Sequence, residues 1–179
     1  MNKNRDAYYD NRIVFKPWGH EYVVYRYKNI LSVTLLNINP AESTSLHCHP
    51  KKKTGFVLLD GKALIQLGLW KKGSKIYESP SKLMIRTGLF HSIKCISKKP
   101  LLALEFETPI DKNDLVRFDD KYGREKRPYE QGKKFKNLKK DKNFYKLYNF
   151  KEKIEYVFGK TIVKLEIHKN FKKLVSEKN

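Results

Sequence analysis

The chain is poor in sulfur, in negative charge and in long apolar runs. Only two cysteines, Cys48 and Cys95, occur in 179 residues. That excludes a disulfide scaffold and points to a reducing compartment, the cytoplasm. No stretch approaches the roughly 18 consecutive apolar residues of a membrane span. The opening segment, MNKNRDAYYDNR, is polar and lacks the apolar region of a secretory signal. Asp and Glu number 19 against 39 Lys and Arg, a formal charge of +20. Such a charge attracts phosphate on a nucleic acid, a nucleotide or a sugar. The basic residues are overwhelmingly Lys and are spread along the chain, and no helix-turn-helix, zinc-finger or RNA-binding motif occurs. A nucleic-acid partner is therefore not expected. What is present is a 40% hydrophobic, 13% aromatic composition, enough to exclude wholesale disorder. The length suits one domain with an appendage.

From residue 20 to about 108, short segments rich in Val, Ile, Leu, Phe and Tyr alternate with turn residues. The spacing predicts strands at 21–27, 30–38, 43–49, 55–59, 63–67, 75–78, 83–86, 91–96 and 101–107. Asn39-Pro40, Asp60-Gly61, Lys72-Gly73 and Ser79-Pro80 supply the breaks. No helical pattern intervenes, which predicts an all-β sandwich or barrel. After about residue 125 the composition changes. Residues 125–143 are charged and turn-rich. Phe144, Leu147 and Tyr148 recur at helical spacing and predict a short amphipathic helix. Residues 155–167 predict a hairpin turning near Gly159-Lys160. The expected organisation is a barrel over 14–124 and a basic extension over 125–179, packed on the barrel or on a second subunit. Open sheet edges favour a homodimer.

The stretch Ser45-Leu46-His47-Cys48-His49-Pro50 carries the chemistry. On a strand His47 and His49 point to one face, and Cys48 to the other. Two such imidazoles can reach one metal, and His91, opening a later strand, is the candidate third ligand. Imidazoles with open positions suit a divalent metal, Zn first, with Mn or Fe as alternatives.

The intervals around these residues resemble the cupin superfamily. Its first motif places H-x-H before a glutamate and a glycine; here His47 and His49 precede Thr54 and Gly61. Its second motif is matched in spacing by Arg86, Gly88, His91 and Cys95. The resemblance implies a double-stranded β-helix, a jelly-roll barrel. Thr54 stands where a cupin glutamate ligand is expected, which leaves three histidines plus water, or a carboxylate supplied by Glu105 or Glu107. Lys16-Pro17-Trp18-Gly19 with Glu21-Tyr22, and the run 113–124 (NDLVRFDDKYGR), are similar to the opening and closing of a narrower group. This is the C-terminal cupin domain of type II mannose-6-phosphate isomerases and mannose-1-phosphate guanylyltransferases. It covers about residues 14–124. Within it, His47 takes the place of a glutamine, and Lys51 and Thr54 replace a further histidine and the glutamate.

This resemblance implies a metal-dependent sugar-phosphate isomerase in carbohydrate or surface-polysaccharide metabolism. Aldose–ketose interconversion needs a base that moves a proton between neighbouring carbons, for which Glu105 and Glu107 are the candidates. Arg117 and Arg124 offer guanidinium forks for phosphate, Arg117 among the reacting groups and Arg124 in substrate binding. Lys51 and Lys53, immediately after the first motif, could meet a phosphate at the mouth. Two further functions fit the same residues: a metal-free epimerase or ketoisomerase acting on nucleotide-linked sugars, and a non-catalytic sugar-binding cupin.

Overall fold

The computed structural model describes residues 9–124, 135–137, 145 and 153–166. Its strands in chain order are β1 (Arg12–Lys16), β2 (Gly19–Tyr27), β3 (Leu31–Ile38), β4 (Leu46–Cys48), β5 (Lys53–Asp60), β6 (Lys62–Leu67) and β7 (Ser74–Glu78), then β8 (Ser81–Ile85), β9 (His91–Cys95), β10 (Leu101–Thr108), β11 (Val116–Asp119), β12 (Phe135–Asn137), β13 (Ile154–Phe158) and β14 (Thr161–Leu165). Seven form one sheet in the order β12-β1-β2-β3-β10-β5-β8, and five form a second in the order β11-β4-β9-β6-β7. All pairings are antiparallel. Strands were expected at all nine segments between 21 and 107. The segment at 43–49 shortens to β4, with Ser43 contributing a single bridge to Lys94. Strands β1, β11 and β12 were not anticipated. The helix expected around Phe144, Leu147 and Tyr148 lies outside the described residues, apart from Tyr145.

Alternation decides what each sheet buries. In β3 the even positions Leu36 and Ile38 join an inner cluster with Trp18, Phe56, Leu58, Ile65, Ile85, Ile93 and Leu101. The odd positions Val33 and Leu35 join a second cluster with Tyr22, Val24, Leu59, Leu104 and Phe158. The β13–β14 hairpin supplies Phe158 and covers the outer face of the large sheet. β3 is therefore buried on both faces, with the polar Ser32 and Thr34 among its buried residues.

The inner face changes character along its length. Leu101 and Ala103 of β10 lie opposite Ile38 and Leu36 of β3, whereas Glu105 and Glu107 lie opposite Thr34 and Ser32. On the other side Ala103, Glu105 and Glu107 pair with Leu58, Phe56 and Thr54 of β5. One end of the barrel is thus packed with hydrocarbon and the other lined with polar groups.

Gly19 sets the entrance to β2. Its φ is +145°, and a Cβ there would lie 2.0 Å from the carbonyl oxygen of Asn37. Gly19→Ala is expected to cost at least about 2 kcal/mol through backbone strain and overlap, read as a lowered midpoint in urea unfolding.

Candidate metal centre

His47 lies on β4 and His49 just beyond it, and the register His47↔His91 brings β9 alongside. The three rings pack with centroids 4.5 Å apart for His47–His91, 4.9 Å for His47–His49 and 5.4 Å for His49–His91. One ring nitrogen from each lies within 4.8 Å of the others. The structure thus gathers the three expected histidines at one point.

Hydrogen bonding fixes which nitrogen faces that point. Nδ1 of His47 donates to the Ser45 carbonyl at 2.8 Å, that of His49 to the Asp114 carbonyl at 2.5 Å, and that of His91 to the Leu89 carbonyl at 3.0 Å. A carbonyl can only accept, so each Nδ1 carries the proton and each Nε2 presents a lone pair. Nε2 of His91 is buried and unpartnered among the described residues. Burial lowers all three basicities: His49 falls to about 3, with Lys52 adding to the effect, and His91 to about 4. His47 is also held well below its ordinary value, by burial and then by its two neighbours. Three neutral, oriented imidazoles with an orphaned buried lone pair are the donor set a divalent metal requires.

Asp114 is the keystone of this arrangement. Its carbonyl orients His49, while its carboxylate accepts the backbone N–H groups of Lys51 (3.0 and 3.1 Å) and Lys52 (2.8 Å). Asp114→Ala is expected to free the 49–52 turn and weaken metal affinity by about 10- to 100-fold, measured by competition with a chromogenic chelator.

Both glutamates singled out in the sequence face the same interior, but their environments differ. Glu107 is clamped by Lys52 (2.5 Å) and Lys112 (2.6 Å). Burial pushes its carboxyl up, but Lys112 and Lys52 outweigh that and hold it well below the usual carboxylate range. Glu105 has no such clamp. Burial, reinforced by the Glu107 charge, pushes it up to about 8. Two adjacent carboxyls are therefore held in opposite protonation states, the pattern by which enzymes divide acid and base roles.

A cavity of about 50 Å³ beside His47 and His49 is lined by both glutamates, Lys16, Trp18, Glu21, Phe56, Arg117 and Arg124. That is room for a few waters, so a larger ligand would place only its reacting end inside. Arg124 closes its fork on Asp120 through Nε (2.5 Å) and Nη2 (2.8 Å), and Arg117 donates to the Arg124 carbonyl. Lys51 and Lys53 are exposed and do not line the cavity. Alternation explains why: Lys52 shares the inward parity of Thr54, Phe56 and Leu58, and its neighbours point out. Reading that parity back from Phe56 would have found Lys52. The pair Lys16–Glu21 (3.4 Å) and Asp114 fall in the opening and closing motifs but were not expected as site residues, and Lys112 carried no signal in the sequence taken alone.

Comparison with known proteins bears on the family and the fold. A profile of the family described as "Mannose-6-phosphate isomerase C-terminal" matches residues 3–120. The mannose-1-phosphate guanylyltransferase of Salmonella montevideo is 27% identical over 124 residues, which are 68% of this chain and 26% of that protein. The xanthan biosynthesis protein XanB of Xanthomonas campestris pv. campestris is 28% identical over 116 residues, 64% of this chain and 24% of that protein. The chain thus spans about a quarter of the length of these curated relatives. Among solved structures, the oxalate decarboxylase of Lactobacillus farciminis aligns with a TM-score of 0.52 at 18% identity, over 59% of this chain and 33% of that one. The capsular polysaccharide assembling protein CapF of Staphylococcus aureus aligns with a TM-score of 0.51 at 16% identity, over 60% and 34%. These two likenesses bear on the fold alone, which is the double-stranded β-helix of the cupins.

Proposed function

Because the chain belongs to the family of mannose-6-phosphate isomerase C-terminal domains, we propose that it is a metal-dependent cupin interconverting the aldose and ketose forms of a sugar phosphate. The observation that carries this reading is the meeting, in one interior, of three neutral imidazoles with a proton-holding carboxyl. His47, His49 and His91 would hold the ion, Zn first, with Mn or Fe as alternatives. Bound there, a divalent metal supplies Lewis-acid polarisation of a carbonyl and its neighbouring hydroxyl.

The chain's own residues do the rest. Glu105, with a value near 8, exchanges a proton near neutral pH and can take one from carbon and return it to the next. Glu107, stabilised as an anion by two lysines, is a poor base; it keeps the proton on Glu105. Arg117 meets the anionic part of the substrate, and Arg124, closed on Asp120, holds the wall behind it. The names of the relatives, a mannose-1-phosphate guanylyltransferase and a xanthan biosynthesis protein, support a role for such a reaction in supplying sugars for polysaccharide assembly.

The test is turnover of a panel of aldose and ketose phosphates by chelator-stripped and metal-reconstituted protein. Reconstitution should restore activity, and Glu105→Gln should lower it by about 100-fold or more with metal stoichiometry kept. Full turnover without metal would overturn the reading and favour the metal-free epimerase or ketoisomerase class. A second reading, a sugar-binding cupin without turnover, is favoured by Thr54 in the place of the family's carboxylate ligand. Binding across the panel with no turnover would establish it.

A further inference from the structure

The polar end of the barrel carries three hydroxyls that the metal centre does not use. Ser32, Thr34 and Thr54 are each 1% exposed, and their oxygens have no hydrogen-bond partner among the described residues. They flank the two carboxyls in register, Thr34 opposite Glu105, and Ser32 and Thr54 on either side of Glu107. Glu105 has no hydrogen-bonded partner among the described residues either. Leaving one buried hydroxyl unsatisfied costs about 1–3 kcal/mol, and native interiors avoid the cost by pairing or by ordered water. A buried water needs two to four polar partners around it, and this wall offers three hydroxyls and two carboxyls.

We propose that Ser32, Thr34 and Thr54 hold ordered water that hydrogen-bonds Glu105 and Glu107, which makes Thr34 a positioning residue for the proton on Glu105. A protonated Glu105 needs an acceptor for its O–H, and an ionised one needs donors. Water held by a hydroxyl offers both, so the carboxyl changes state without moving its side chain. The flanking hydroxyls are sealed from bulk solvent, whereas Glu105 itself also borders the cavity.

The test uses the metal-loaded full chain and two variants, Thr34→Val and Ser32→Ala, and needs no turnover. It therefore stands or falls apart from the isomerase reading. Val has the shape of Thr without its hydroxyl. If water bridges that hydroxyl, Thr34→Val strands a partner and Tm falls by about 2–4 °C. An empty row would instead let Val raise Tm. A high-resolution structure should show ordered density between the three oxygens and the carboxyls. The infrared carboxyl band of Glu105, identified by its loss in Glu105→Gln, should titrate about half a pH unit or more higher in Thr34→Val. In Ser32→Ala that midpoint should stay, while Tm still falls. A rise in Tm, an unmoved midpoint in Thr34→Val, or a row without ordered density would overturn the proposal.

Discussion

Glu105→Gln and Glu107→Gln are expected to move stability in opposite directions, although the two residues are neighbours on the inward row of one strand. Glu107→Gln leaves Lys52 and Lys112 buried without their counter-charge. Breaking a buried ion pair from one side costs about 3–5 kcal/mol, so this variant should unfold at clearly lower urea. Glu105 behaves otherwise. Its folded value is raised from 4.5 to about 8, so between those pH values the native state binds a proton that the unfolded chain has released. Stability then falls as pH rises through that window and levels off above it. Gln cannot ionise, so Glu105→Gln should flatten this decline and be the more stable protein at pH 8, by on the order of 2–4 kcal/mol. Glu107, with its folded value depressed, has the reverse sign. Its contribution is complete above the ordinary carboxylate range and fades only as pH drops below it. Urea unfolding of the three proteins from pH 4 to 9 separates the cases, and equal losses in both variants would refute the split between the two carboxyls.

The second large effect is on metal. His91→Ala removes one of three ligands and should lower affinity by more than the roughly 100-fold upper range for losing an outer-shell partner. Copurified metal should fall from about one ion per chain to near none. The buried imidazoles add a pH signature. An exposed histidine cluster would release metal as its rings take up protons near 6.5. Here His49 and His91 resist protonation until about 3 and 4, so metal should survive dialysis at pH 5 and be lost only under stronger acid. Metal analysis of untagged protein dialysed across this range reads both effects. Retention of a full complement by His91→Ala would mean that the ion sits elsewhere.

How far the sequence reaches depends on how local each feature is. The histidines were legible because strand periodicity puts His47 and His49 on one face, and turn residues before His91 begin a new strand. The nine strands between 21 and 107 were legible for the same reason, since apolar runs and turn residues lie side by side in the chain. What was hidden is long-range. Lys52 meets Glu107 across 55 positions, and nothing near Lys52 separates it from the exposed Lys51 and Lys53 except strand parity. The Asp114 carbonyl that aims His49 is 65 positions away, and a backbone oxygen leaves no mark in composition. Strand β11 went unanticipated because Val116 and Phe118 are exposed and its four residues alternate too briefly to register. The opposed states of Glu105 and Glu107 follow from which of them the lysines reach, and that is a fact of packing.

Three Nε2 atoms, each freed by an Nδ1–H bound to a carbonyl, should meet at one ion. X-ray absorption at the zinc edge of stoichiometrically reconstituted protein tests it directly. The expected result is one ion per chain with three imidazole nitrogens at about 2.0–2.1 Å. A shell with a single imidazole, or a protein that takes up no stoichiometric ion, would contradict it.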